Sequence, residues 1–246
     1  MIEPAGTAPD QQGVGPGQPP LVSLSGVGYA LSIGGSQLQI LTDVRLDVAQ
    51  GEVVAIVGQS GSGKTSLLMI IAGLERPTTG SVIIDGHDLT SLNEDALAAF
   101  RRNTLGIVFQ SFYLIPSLSA LDNVCLALEV AEPGLTLAEA RKRSAQALAA
   151  VGLGDRVHHR PAAMSGGEQQ RVGLARAIVA HPKILLADEP TGNLDQNTGE
   201  RVIELMFALA RERNATVLFV THDPSLAARA ERILTMTQGR LTEAAK

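Results

Sequence analysis

The sequence predicts an α/β fold with a parallel-sheet core, an antiparallel β subdomain and an inserted helical subdomain. Three observations carry this. Continuous, β-rich apolar runs recur at Val53–Val57, Ile184–Ala187 and Val217–Val220, as in strands buried on both faces of a parallel sheet. Helical patterns separate them, at Lys64–Leu74, Gln169–Ala180 and Glu200–Glu212. Ahead of the first run, Leu21–Glu52 alternates apolar and polar residues over short stretches punctuated by Gly26, Gly28, Gly34 and Gly35. That is the texture of antiparallel strands joined by turns.

Along the chain, residues 1–20 hold mostly Pro, Gly, Gln and Ala, with no apolar period. Such a stretch cannot bury enough apolar surface to offset its ordering entropy, so a disordered tail is expected there. "GSVIIDG" at 80–86 reads as one more strand of the antiparallel subdomain. Residues of about 111–165 break the strand–helix alternation and define the helical subdomain. Thr136 and Glu139 make a capping-box pattern ahead of a helix reaching about Val151. Leu137, Ala140, Ser144, Leu148 and Val151 give that helix a narrow apolar stripe, and Arg141–Arg143 a solvated face.

Composition sets limits. With 246 residues the chain can bury a sizeable core without a staple. A net charge of −5 argues against a nucleic-acid partner, which calls for a basic face. The one cysteine, Cys125, excludes an intramolecular disulfide and reads as a small core residue. No apolar run approaches the ~18 residues of a membrane span, and no secretion leader is seen. The expectation is a cytoplasmic protein that docks on a membrane protein.

"GQSGSGKTS", residues 58–66, follows the first buried strand and opens a helix. It fits G-x-x-x-x-G-K-[ST] in the context that motif requires. To wrap a phosphate, successive backbone N–H groups must approach its oxygens, and side chains would block them. The expected nucleotide-binding residues are therefore Gly58, Gln59, Ser60, Gly61, Ser62, Gly63, Lys64, Thr65 and Ser66, and the loop alone does not choose between kinase, GTPase, strand-exchange ATPase and transporter ATPase. Lys64 reaches the β- and γ-phosphates and Thr65 offers its hydroxyl to Mg²⁺. A merely glycine-rich turn is the alternative, and the strand–loop–helix context opposes it.

"LLADEP" ends a second apolar strand in two carboxylates. Asp188 is placed to serve Mg²⁺, and Glu189, pointing differently, to accept a proton from the attacking water. In "MSGGEQQR", Ser165 and Glu168 fit a capping box, yet Gly166 and Gly167 inside it are costly for a helix start. Ser165, Gly166 and Gly167 therefore read as a second phosphate grip, with the two faces of ATP held by different subunits. No N-K-x-D guanine-reading motif occurs, which opposes a GTPase.

These motifs, in this order, resemble the nucleotide-binding subunit of an ATP-binding cassette (ABC) transporter over residues 21–240. The resemblance implies a P-loop NTPase (ABC ATPase) domain over 21–246. It adds roles for "GIVFQ", "GNLD", "VTHD" and an early aromatic. Gln110 senses Mg²⁺ and the attacking water and links them to the membrane partner. Asp195 lies at the dimer interface, His222 contacts the γ-phosphate, and Tyr29 stacks on adenine, with a core tyrosine as its alternative. Met164 and Glu168 depart from the Leu-Ser-Gly-Gly-Gln signature, and "GKTS" from "GKST"; both keep the contact groups. "VFQSFYLIPSLSALDNV" and "LLADEPTGNLD" resemble the lipoprotein-release and macrolide-efflux branch. The implied assembly is a head-to-tail homodimer on the cytoplasmic face of the membrane, driving a separate permease. A soluble ABC ATPase of DNA repair or translation would carry coiled coils or a second cassette, and a small-molecule kinase has no place for the signature helix.

Overall fold

The computed structural model describes residues 19–243. The tail expected over residues 1–20 falls, up to residue 18, outside the described residues. Two sheets form the body. A six-stranded sheet runs in the order β10 (Arg240–Glu243), β9 (Arg232–Thr237), β3 (Val53–Val57), β8 (Thr216–Thr221), β7 (Ile184–Asp188) and β6 (Leu105–Val108). Its pairs are parallel except β10 on β9. The second, antiparallel sheet runs β2 (Ser36–Val48), β1 (Val22–Ile33), β4 (Thr79–Ile84) and β5 (His87–Asp88).

The apolar runs are explained by burial on both faces. Val53, Ala55, Val217 and Phe219 feed one core cluster, under α5 (Gly166–Ile178) and α6 (Gln196–Glu212). Val54, Ile56, Leu218 and Val220 feed the other, against α1 (Lys64–Ile71) and the antiparallel sheet. Alternate residues of one strand thus serve opposite cores. Each fully buried Leu or Val contributes about 1.5–3 kcal/mol.

In the antiparallel sheet the glycines divide into two kinds. Gly34 and Gly35, both left-handed, make the β1–β2 turn. Gly26 and Gly28 do not end a strand; they sit in register shifts inside the long β1. A Cβ on Gly28 would come 2.5 Å from Thr79 Oγ1, so the close approach of β4 fixes that glycine.

Between β6 and β7 the chain forms α3 (Ala120–Ala131), α4 (Leu137–Ala150) and then α5. Ser119 and Thr136 cap α3 and α4 through the amides of Asp122 and Glu139. On α4, Ala140, Ser144 and Leu148 are buried as the stripe predicts, whereas Leu137, in the first turn, is 59% exposed. The basic triplet is only partly a solvated face. Arg143 makes a two-pronged pair with Glu132, Arg141 a single bond to Asp122, and Lys142 a loose, exposed pair with Glu139 at 3.8 Å. Cys125 is buried and desolvation pushes its thiol up, as befits an unreactive core residue. Two further helices, α2 (Glu94–Thr104) and the short α7 (Pro224–Ala227), were not legible in the sequence, nor were β6, β9 and β10.

This topology positions the site. β3, β7 and β8 are parallel neighbours, with Val57 paired to Thr221 and Asp188 to Val220. Their carboxyl ends therefore fall on one edge of the sheet, where open α/β sheets bind ligands. The loop from Gly58, the pair Asp188–Glu189 and His222 all leave the sheet there.

Candidate active site

The loop 58–63 is shaped by what it touches. A Cβ on Gly58 would collide with the Met236 carbonyl oxygen, and one on Gly63 would lie 2.8 Å from Leu41 Cδ2 and 3.1 Å from Ile40 O. Gly61 and Gly63 are left-handed, at φ 77° and 105°. Gly63 caps α1 without a side-chain hydrogen bond, so the first amides of that helix face the cavity unfilled by any side chain. Lys64 is buried, and its ammonium donates to the carbonyls of Gly58 and Gln59 at 2.8 and 3.0 Å. Ser62 Oγ is buried without a partner among the described residues.

Across the cavity, Thr65 Oγ1 donates to Asp188 Oδ1 at 3.1 Å. Burial pushes the Asp188 carboxyl above the usual range. Glu189 is left-handed, at φ 43°, with its amide donating to Val220 O. That backbone is uncommon for a residue other than glycine, and the Glu189 Oε2 meets His222 Nδ1 at 2.8 Å. Gln110 reaches the same cavity from the end of β6. Its backbone carbonyl accepts from Asn193 Nδ2, and a Cβ on Gly192 would come 2.6 Å from its Nε2. Ser60, Gly61, Gly63, Lys64, Thr65, Ser66, Gln110, Asp188, Glu189 and His222 all line one cavity of about 910 Å³.

Gly58, Gln59 and Ser62 of the loop do not line it, and Ser165, Gly166, Gly167 and Asp195 lie outside it. Ser165 caps α5 in a full capping box with Glu168. Gly167 is fixed by packing, since a Cβ there would strike Thr198, but Gly166 would take a Cβ at 3.6 Å or more. Asp195 caps α6 and lines an adjoining cavity of about 630 Å³ shared with Glu189 and His222. Hydrogen bonds from Thr198 hold its carboxyl below the usual range.

Tyr29 corrects an expectation. It is 7% exposed, belongs to the core between the sheets, and its hydroxyl donates to Glu75 Oε2 at 2.8 Å. It does not line the cavity, so it offers no face to adenine. Strand alternation with the register shifts of β1 turns it inward. Tyr29→Phe should cost about 1 kcal/mol of stability, the worth of one hydrogen bond, and leave nucleotide affinity unchanged. A denaturant melt and a binding titration check both.

Comparison with known proteins identifies the family. Residues 41–192 match the family described as ABC transporter. The chain belongs to the ABC transporter family. It is 49% identical over 212 residues to an uncharacterised ABC transporter ATP-binding protein, YbbA, of Escherichia coli K12, covering 86% of this chain and 92% of that one. It is 49% identical to the lipoprotein-releasing system ATP-binding protein LolD of Bordetella avium, covering 85% and 90%. It is 45% identical to a macrolide export ATP-binding/permease protein, MacB, of Paracoccus denitrificans, covering 90% of this chain but 33% of that protein. The solved structure of the cassette MJ0796, a dimer bound to ADP and Pi, superposes with a TM-score of 0.85 at 40% identity, covering 92% of this chain and 99% of that one. The protein is thus an ATP-hydrolysing ATP-binding subunit of an ABC transporter.

Two features of this ABC subunit escaped sequence reasoning. Leu38, Ile40, Gln238 and Gly239 line the cavity, brought there by β2 and the β9–β10 turn. Nothing local marks them. Arg176, in the last turn of α5, donates to the carbonyls of Phe112 and Tyr113 at 2.7 and 2.6 Å. Both residues are left-handed, at φ 53° and 45°, and burial lowers the guanidinium's pKa. A single arginine thereby holds the segment that follows Gln110.

Proposed function

We propose that this subunit hydrolyses Mg²⁺–ATP as a head-to-tail homodimer and drives a membrane permease of the lipoprotein-release or macrolide-export kind. The observation that carries the hydrolytic part is the convergence on one sheet edge of the Lys64 ammonium, the Thr65–Asp188 pair and the Glu189–His222 pair. Lys64 and the loop amides hold phosphate oxygens. Glu189 takes the proton of the attacking water, and His222 fixes the carboxylate's direction from Nδ1. Gln110 orients the water from the far wall.

The donor set suits a hard cation. Thr65 and Asp188 offer oxygens only, and a cation relieves the penalty of the desolvated carboxylate. Among the described residues no group of three or more His, Cys, Asp or Glu gathers. Phosphate and water oxygens would complete the shell, as Mg²⁺ prefers. When bound, Mg²⁺ supplies charge neutralisation on the phosphates. Asp188→Asn tests this reading: ATP still binds without metal, but added Mg²⁺ no longer promotes hydrolysis, a loss of about 10²-fold or more for a metal worth several kcal/mol. Wild-type Mg²⁺ dependence in that variant overturns the assignment.

Two observations support the partners. Gly166 stands at a capped helix N-terminus where its own subunit has room for a side chain, as expected if a partner's nucleotide must approach. Beside the segment held by Arg176, α3 and its approach expose Tyr113, Ile115, Leu126 and Val130 around a groove of about 470 Å³. Such a patch suits a permease segment. Among the described residues no helix is long and apolar enough to cross a membrane. The printed names of the relatives motivate lipoprotein or macrolide work; the substrate is read in the permease.

A further inference from the structure

We propose that this subunit chooses its nucleotide through the triphosphate and only weakly through the base, because its base platform is aliphatic. The proposal rests on reading the cavity as the ATP site. Leu31 and Leu38 are directly opposed on the β1–β2 hairpin, and Ile40 lies two residues on, so all three share one face. Leu38 and Ile40 line the cavity together with Gly61, Gly63 and Lys64. Leu31 and Leu38 are 38% and 54% exposed, an apolar shelf that continues the phosphate loop outward. Gly63 lies close against Ile40, which ties the shelf to the loop.

No aromatic residue takes part. The chain has two tyrosines, five phenylalanines and no tryptophan. Tyr29 is buried against Glu75, Phe207 and Phe219 pack on each other, Phe100 is buried, and Phe109, Phe112 and Tyr113 lie along the segment held by Arg176. None of them lines this cavity. Stacking on an aromatic is worth about 5- to 140-fold in affinity, from ~1–3 kcal/mol per base. An aliphatic shelf gives non-directional contact that any purine face satisfies.

The base edge is equally unselective. Strong rejection of a competitor needs a built hydrogen-bond partner that the wrong ligand leaves unpaired. The amides on this wall are Gln39 and Gln238. The Gln39 Nε2 donates to the Leu41 carbonyl, and its amide still presents both a second N–H and an oxygen, so it sets no single complement to a base edge. Gln238, on the β9–β10 turn, carries a terminal amide that offers a donor or an acceptor by rotation and so meets adenine and guanine alike.

Competition of the full chain against a fluorescent ATP analogue tests this with Mg²⁺–ATP, Mg²⁺–GTP and inorganic tripolyphosphate. ATP and GTP should bind within about a hundredfold of each other, the limit of an apolar pocket without edge readout. Leu31→Tyr should tighten both by about fivefold or more. Leu38→Ala, at a mostly exposed position, should weaken both together and leave tripolyphosphate unchanged. An ATP preference beyond about a hundredfold, more than an apolar pocket without edge readout supplies, overturns the proposal. So does a Leu38→Ala loss shared by tripolyphosphate, or an unchanged affinity in Leu31→Tyr. Wild-type protein that binds neither tripolyphosphate nor nucleotide instead overturns the reading of the cavity, and this proposal with it.

Discussion

Glu189→Gln binds ATP normally and hydrolyses it about 10²–10⁴-fold more slowly, the usual cost of losing a general base. The substitution is isosteric. Glutamine keeps an oxygen toward His222 Nδ1, where the carboxylate now sits at 2.8 Å, but it cannot take a proton. The left-handed backbone at 189 and the amide bond to Val220 do not depend on the side chain, so the fold survives. Among the described residues Asp188 is the only other carboxylate lining the cavity, and its Oδ1 already accepts from Thr65. Steady-state phosphate release beside an equilibrium binding titration separates the two effects. Wild-type turnover would place the base elsewhere.

The second large effect concerns assembly. With Mg²⁺ and ATP, Glu189→Gln accumulates as a dimer by light scattering, because the nucleotide that closes the interface is no longer consumed. Adding Ser165→Arg abolishes that dimer while each monomer still binds ATP through Lys64 and Thr65. Arginine also removes the Ser165 cap, costing about 0.5–2 kcal/mol of helix stability. Gly166→Ala separates the two causes. Among the described residues its Cβ would meet nothing closer than 3.6 Å, so the monomer folds normally, and a weaker dimer there reports on the interface alone. Dimers that persist in both variants would reduce the glycine pair to a helix cap.

The parts of the fold that were legible share one property: their signal is local. Val53–Val57 and Val217–Val220 read as strands because burial on both faces leaves no polar residue to confuse the period. The loop 58–66 reads as a phosphate cradle because its glycines follow such a strand. Tyr29 misled for the opposite reason. Its neighbours do not say which way it points; the register shifts of β1 decide that. Gly26 and Gly28 resembled turn residues but serve a bulge and the close passage of β4. The cavity wall made by Leu38, Ile40 and Gln238 depends on strands almost two hundred residues apart along the chain, which no window of sequence connects. The left-handed backbone of Glu189 is equally silent, since glutamate does not signal that conformation.

Phe112 and Tyr113 join a residue of the cavity, Gln110, to an exposed face, where Tyr113 is 66% exposed. Two successive left-handed residues other than glycine carry strain of about 1–3 kcal/mol each. One rigid guanidinium holds both carbonyls. The fork matches two carbonyls at once, so a change in the shape of this segment gives up hydrogen bonds on a guanidinium that burial already desolvates.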